Sequence, residues 1–166
     1  MDVWPQIVFG GVVAGIIAQV ISGRISRSVK VSEFRQKWID ALREDVAAYI
    51  GAAHKWVRKY EEINNIISME ERDQKDRDEL LPVQNDALVT LSRIKLRINP
   101  NKNRYKNEDD AFLLALEKLI DPNKLPPIDP ATIEVSWRKA AEEAIELTRR
   151  ILKREWEVTK QPGQWL

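Results

Sequence analysis

Six cations stand between Thr90 and Asn107 with no acid among them: Arg93, Lys95, Arg97, Lys102, Arg104 and Lys106. Four asparagines and Tyr105 share the stretch. Cationic side chains, amide donors and one aromatic ring suit phosphate groups, so RNA, a nucleotide or an anionic lipid headgroup is the ligand this chemistry would take. The candidate anion-binding set is Arg93, Arg97, Lys102, Arg104 and Lys106. A plainer reading pairs Arg93 and Arg97 with carboxylates of a helical body and leaves the loop solvated, and it is the preferred one.

Little else in the chain points to reaction chemistry. His54 is the only histidine and cysteine is absent, which removes His–His and thiolate metal sites, disulfides and Cys nucleophiles. P-loop, Rossmann, GxSxG and HExxH patterns are missing. Glu142, Glu143 and Glu146 have Lys139, Arg149 and Arg150 at helical spacing and read as surface ion pairs. The run Glu70–Glu79 holds six acids and three bases but lacks the glycine of a calcium loop, so it reads as a solvated helix end and turn. No catalytic residue, metal site or cofactor is expected.

The elements that position these groups begin with an apolar run. Val3 to Gly23 carries no charge over twenty-one positions. At ~1.5 Å per residue a helix of that length covers ~31 Å, the thickness of a bilayer's hydrocarbon core. A signal peptide would have a basic start and a small-residue cleavage site, and Ala18-Gln19-Val20 fits poorly. The expected anchor is 1–23. Gly10, Ala14, Ala18 and Ser22 form one row of small residues, and Gly11, Gly15, Gln19 and Gly23 form its neighbour. Such a face lets helices approach closely in lipid, so Gly11, Ala14, Gly15, Ala18, Gln19 and Ser22 are the expected oligomerisation or pore-lining residues. Arg24, Arg27 and Lys30 form a basic collar after the run. Arg35 and Lys37 extend it against Glu33 alone, which places the amino terminus outside and the body in the cytoplasm of a bacterial inner membrane.

Residues 24–161 read as a cytoplasmic helical bundle and 162–166 as a tail. Gly51 is the only glycine between Arg24 and Lys160, and the net charge is +1, which implies no global polyanion partner. The fold class is all-α: an amino-terminal transmembrane helix, then an antiparallel bundle of two long and two shorter helices. Phe34, Trp38, Leu42, Val46, Tyr49, Ala53, Val57, Tyr60, Ile63 and Ile67 mark the buried face of the first long helix. That helix is expected to run from a Ser32 cap or from the anchor to about Glu71, with an irregularity at Gly51. A second helix starts near Pro82 and ends before Asn99, with Leu81, Leu88, Leu91, Ile94 and Ile98 inward. A short third runs from Asn107 or Glu108 to Ile120. The last follows Asp129-Pro130 to about Lys160, with Ile133, Trp137, Ala140, Ala144, Leu147 and Ile151 packing within the bundle.

With the anchor, the basic collar, FRQKWIDALREDVAAYI and RIKLRINPN in place, the chain resembles small single-span bacterial and phage-associated membrane proteins. It is similar in layout to the accessory membrane proteins of type VI CRISPR loci. That resemblance implies a HEPN-like helical body, a homo-oligomeric ring-shaped membrane pore, a role in antiphage defence and a CRISPR effector complex as partner. HEPN nucleases place an Arg shortly before a His; here the nearest upstream arginine to His54 is Arg43, eleven positions away, so no catalytic residue is carried over. The expected function is a membrane-anchored homo-oligomer, with a non-pore membrane tether that binds a protein or nucleic acid as the alternative and a degenerate HEPN nuclease as the third reading. The expected partners are further copies of the chain, the lipid bilayer, and RNA or a nucleotide.

Overall fold

The structure, a computed structural model, describes the backbone of residues 4–98, 104–125 and 133–160, and side chains from residue 29 onward within those ranges. All regular structure in the described residues is helical. Helix α1 spans Trp4–Asn64, α2 Met69–Lys75, α3 Leu81–Arg97, α4 Lys106–Lys118 and α5 Ile133–Lys160.

Helix α1 passes through Ser32 and Gly51 without a break, so neither the expected cap nor the irregularity is present. Gly51 is exposed, and a β-carbon there would meet nothing within 4 Å. The helix stops at Asn64, earlier than the expected Glu71. Ile66 N–H turns back to the Ile63 carbonyl at 3.1 Å, and Ser68 then caps α2 by accepting from Glu71 N–H. Two consecutive asparagines, poor helix formers, sit at that break.

The acidic run, read as a helix end and turn, is helical throughout. It forms α2 and then a π-helical turn, Asp76–Leu80, that leads directly into α3. The wider turn sets the phase of α3: Leu80, Ala87, Leu91, Ile94 and Ile98 face inward, and Leu81 and Leu88, expected in the core, are 42% and 41% exposed. One helical stripe cannot hold both sets, because adjacent residues lie ~100° apart.

Six contacts fix the helix directions. Arg97 meets Asp45 at 2.6 Å while Lys59 meets Glu79 at 2.7 Å, so α3 runs antiparallel to α1. Trp137 Nε1 donates to the Leu119 carbonyl at 3.0 Å and Arg154 reaches Asp109 at 2.9 Å, so α5 runs antiparallel to α4. His54 stacks on Trp137 with ring centroids 4.9 Å apart, and Tyr49 Oη donates to the Leu116 carbonyl at 2.7 Å. Hence α4 runs with α1 and α5 against it. The core between them is built from Leu42, Tyr49, Trp56, Ile94, Phe112, Leu116 and Ile151, among others. The inward positions expected on α5 pack here within one chain: Trp137, Ala140, Ala144 and Ile151 are buried, and Ile133 and Leu147 lie against the core.

Two expected core residues of α1 are outside it. Ile67 lies beyond the helix end and is fully exposed, and Phe34 is 73% exposed. Ile39 and Trp56 are buried in their stead, although among the described residues the Trp56 indole N–H has no hydrogen-bond partner. Gly51→Ala is expected to stabilise the protein by about 0.5–1 kcal/mol, because it removes chain entropy from the unfolded state and meets no clash. Urea unfolding followed by circular dichroism checks this, and a lower midpoint would show that Gly51 has a packing role.

Candidate functional site: the basic segment and its partners

The end of α3 and the start of α4 bring the basic segment against the bundle. Asp45 stands on the inner face of α1 between Leu42 and Val46, and its side chain is only 7% exposed. Arg93 Nη1 donates to one of its oxygens at 3.1 Å and Arg97 Nε to the other at 2.6 Å. Two of the three arginines of the candidate anion-binding set, Arg93 and Arg97, therefore already hold a buried carboxylate, as the plainer reading expects. Lys95 is likewise paired, to Glu117 at 2.6 Å. A buried carboxylate with two charge-assisted donors is satisfied, and it fixes α3 against α1.

The remaining members of the set lie further along. Lys102 falls outside the described residues. Arg104 is exposed with its guanidinium 5.9 Å from the Tyr105 ring centre, and Lys106 is exposed at the first position of α4. In the collar, Lys30 is exposed, and Arg24 and Arg27 lie outside the described side chains. The same holds for Gly11, Ala14, Gly15, Ala18, Gln19 and Ser22. From residue 29 onward, where side chains are described, no helix is long and apolar enough to cross a membrane.

Sequence reasoning missed the most buried polar cluster. Arg154 on α5, with 10% of its side chain exposed, reaches Asp109 at 2.9 Å, Glu108 at 3.1 Å and Glu155 at 3.2 Å. Its guanidinium also lies 4.4 Å from the centre of the Tyr105 ring, a cation–π contact. Burial acts to lower the Arg154 pKa, but the hydrogen bonds and charges of Asp109, Glu155 and Glu108 together outweigh it and raise it. The signal was available: Asp109 precedes Phe112, Ala115 and Leu116 at helical spacing, so an acid sits in an apolar stripe.

His54 is placed for packing. It stacks on Trp137, and its Nε2 is 3.8 Å from Glu134. The Glu134 carboxyl is held below its usual range by a hydrogen bond from Arg138, with the Arg138 charge next. Of the α5 carboxylates read as surface pairs, Glu143 meets Lys118 at 3.6 Å and Glu146 pairs with Arg149. Tyr49 is also buried, and burial pushes its hydroxyl pKa well up, so it stays a neutral donor. Among the described residues no cluster of three metal-capable side chains occurs.

The chemistry of this region is therefore mechanical: two buried acids, Asp45 and Asp109, each clamp arginine from another helix. Asp109→Ala is expected to destabilise the fold by about 3 kcal/mol, because Arg154 stays buried with weaker partners. Asp109→Leu combined with Arg154→Met is expected to recover most of that loss. Chemical denaturation of the single and double variants checks the pair, and additive losses would show that the two side chains do not interact.

No protein-family model matches this chain, and no match was found among curated proteins or among solved structures.

Proposed function

We propose that this chain is a membrane-anchored homo-oligomer in which residues 3–23 cross the bilayer and the helical body hangs beneath it. The observation that carries this reading is the continuity of α1: the uncharged run and the first bundle helix are one helix, Trp4–Asn64. The small-residue rows Gly11–Gly15–Gln19 and Ala14–Ala18–Ser22 then give the spans a face along which to associate. The basic collar supports a cytoplasmic body under the positive-inside rule. Assembly around a ring-shaped pore in antiphage defence is the form that the resemblance to CRISPR accessory membrane proteins suggests.

A second reading, a tether that recruits a partner, is favoured by the outer face of α3. Leu88, Val89 and Leu96 are 41%, 61% and 88% exposed there, an apolar stripe that the chain's own helices leave uncovered.

Gly15→Leu is expected to lower the subunit number that native mass spectrometry reads for the full chain in mild detergent. An unchanged subunit number would remove the association face from the proposal. Loss of the protein from membranes under alkaline carbonate would remove the anchor. Dye release from liposomes by the wild-type assembly separates the pore from the tether.

A further inference from the structure

The directions of the helices gather one kind of side chain at one end of the bundle. Helix α5 runs antiparallel to α1, with Trp137 beside His54. At ~1.5 Å per residue, the nineteen residues from Trp137 to Trp156 bring Trp156 to about the level of Arg35. Trp156 is 43% exposed and Phe34 is 73% exposed, so two large apolar rings stand uncovered where α1 leaves the bundle. The same two segments carry cations. Lys30, Lys37, Lys153 and Lys160 are exposed, and the Lys160 ammonium sits 4.9 Å from the centre of the Trp156 ring. Glu33 and Glu157 are the exposed acids of these two segments, and Lys153 reaches Glu157 at 4.0 Å. Arg154 also draws the start of α4 to this end, where exposed Arg104 and Lys106 stand with exposed Glu108 and Asp110.

The opposite end has the other sign. Glu70, Glu71, Asp73, Asp76, Asp78 and Glu79 gather at α2 and the π turn against Arg72, Lys75 and Arg77. Cations and aromatic rings thus outnumber acids where α1 emerges, whereas acids outnumber cations where α1 ends. An aromatic ring with an apolar body, flanked by long-stemmed lysines, suits the headgroup layer of a bilayer, where rings sit among the glycerol groups and ammonium groups meet phosphates. An acidic far end is repelled by the same surface.

We propose that this end of the bundle, with Phe34, Trp156, Lys153 and Lys160 at its centre, is a docking face for anionic lipid headgroups. The face rests on the anchor reading, since the emerging α1 would hold it at the bilayer surface. Docking then fixes the body against the membrane and stops it swinging freely. Each basic side chain brought to an anionic surface favours the docked state about fivefold.

The absence of cysteine makes the test direct, because a single introduced cysteine is the only labelling site. Glu157→Cys places a nitroxide at the face and Glu71→Cys places one at the far end. The full chain is reconstituted in vesicles of phosphatidylcholine alone and of phosphatidylcholine with phosphatidylglycerol. Collision with oxygen against a water-soluble nickel chelate is then read by electron paramagnetic resonance. Expected is a label at 157 that is shielded from nickel and open to oxygen only with phosphatidylglycerol, and a label at 71 that stays open to nickel throughout. Adding Lys153→Gln and Lys160→Gln should lower the docked-to-undocked ratio by about twenty-five-fold.

A label at 157 as open to nickel as the label at 71, in a chain that resists carbonate extraction, overturns the docking face and leaves the anchor standing. A chain stripped by carbonate that still co-floats with phosphatidylglycerol vesicles at neutral pH overturns the anchor and upholds the face. Failure to co-float with either vesicle overturns both.

Discussion

The burial of α1 between Ile39 and Ile63 is the interaction on which the rest of the structure depends. Ile39, Leu42, Val46, Tyr49, Trp56, Val57 and Ile63 are all at most 4% exposed, and helices α3 and α5 close over them from two sides. At about 1.5–3 kcal/mol for each large apolar side chain buried, this face outweighs the surface ion pairs, which contribute about 0–1 kcal/mol each. Pairs such as Lys59–Glu79 therefore decorate an arrangement that apolar burial already dictates.

The buried charges have a different role. Asp45 and Asp109 each gain little net energy from leaving water, but each is satisfied at one relative position of two helices. Sliding α3 along α1 by one residue would pull Arg93 and Arg97 away from Asp45, and sliding α5 along α4 would strip Arg154 from Asp109. Apolar side chains tolerate such slips more readily, because one methyl group packs much like the next. The two carboxylates consequently select the register within a core that is generically hydrophobic.

Much of this was legible in the sequence, for reasons that can be named. The inner face of α5 follows a single uninterrupted period, so the buried positions Trp137, Ala140, Ala144 and Ile151 could be read directly. Helix α3 was harder because Leu80-Leu81 and Ala87-Leu88 offer two adjacent apolar stripes. Choosing between them requires the π turn, which no local preference announces. The break at Asn64 was missed because the apolar period continues in sequence to Ile67 after the backbone has turned away. At the basic segment, charge alone could not distinguish an arginine that awaits a ligand from one that holds Asp45. That distinction is a tertiary contact across 48 and 52 positions of sequence.

The continuity of α1 carries a geometric consequence of its own. A helix without a hinge keeps angular phase, about 100° for every residue, so the azimuth of its amino-terminal turns is locked to the azimuth of the face that α3 and α5 cover. Inserting a single residue ahead of Ile39 would rotate everything before it by about 100° relative to the bundle, whereas seven would restore the alignment to within about 20°. The length of this connecting stretch thus sets which way the amino-terminal turns face relative to the bundle.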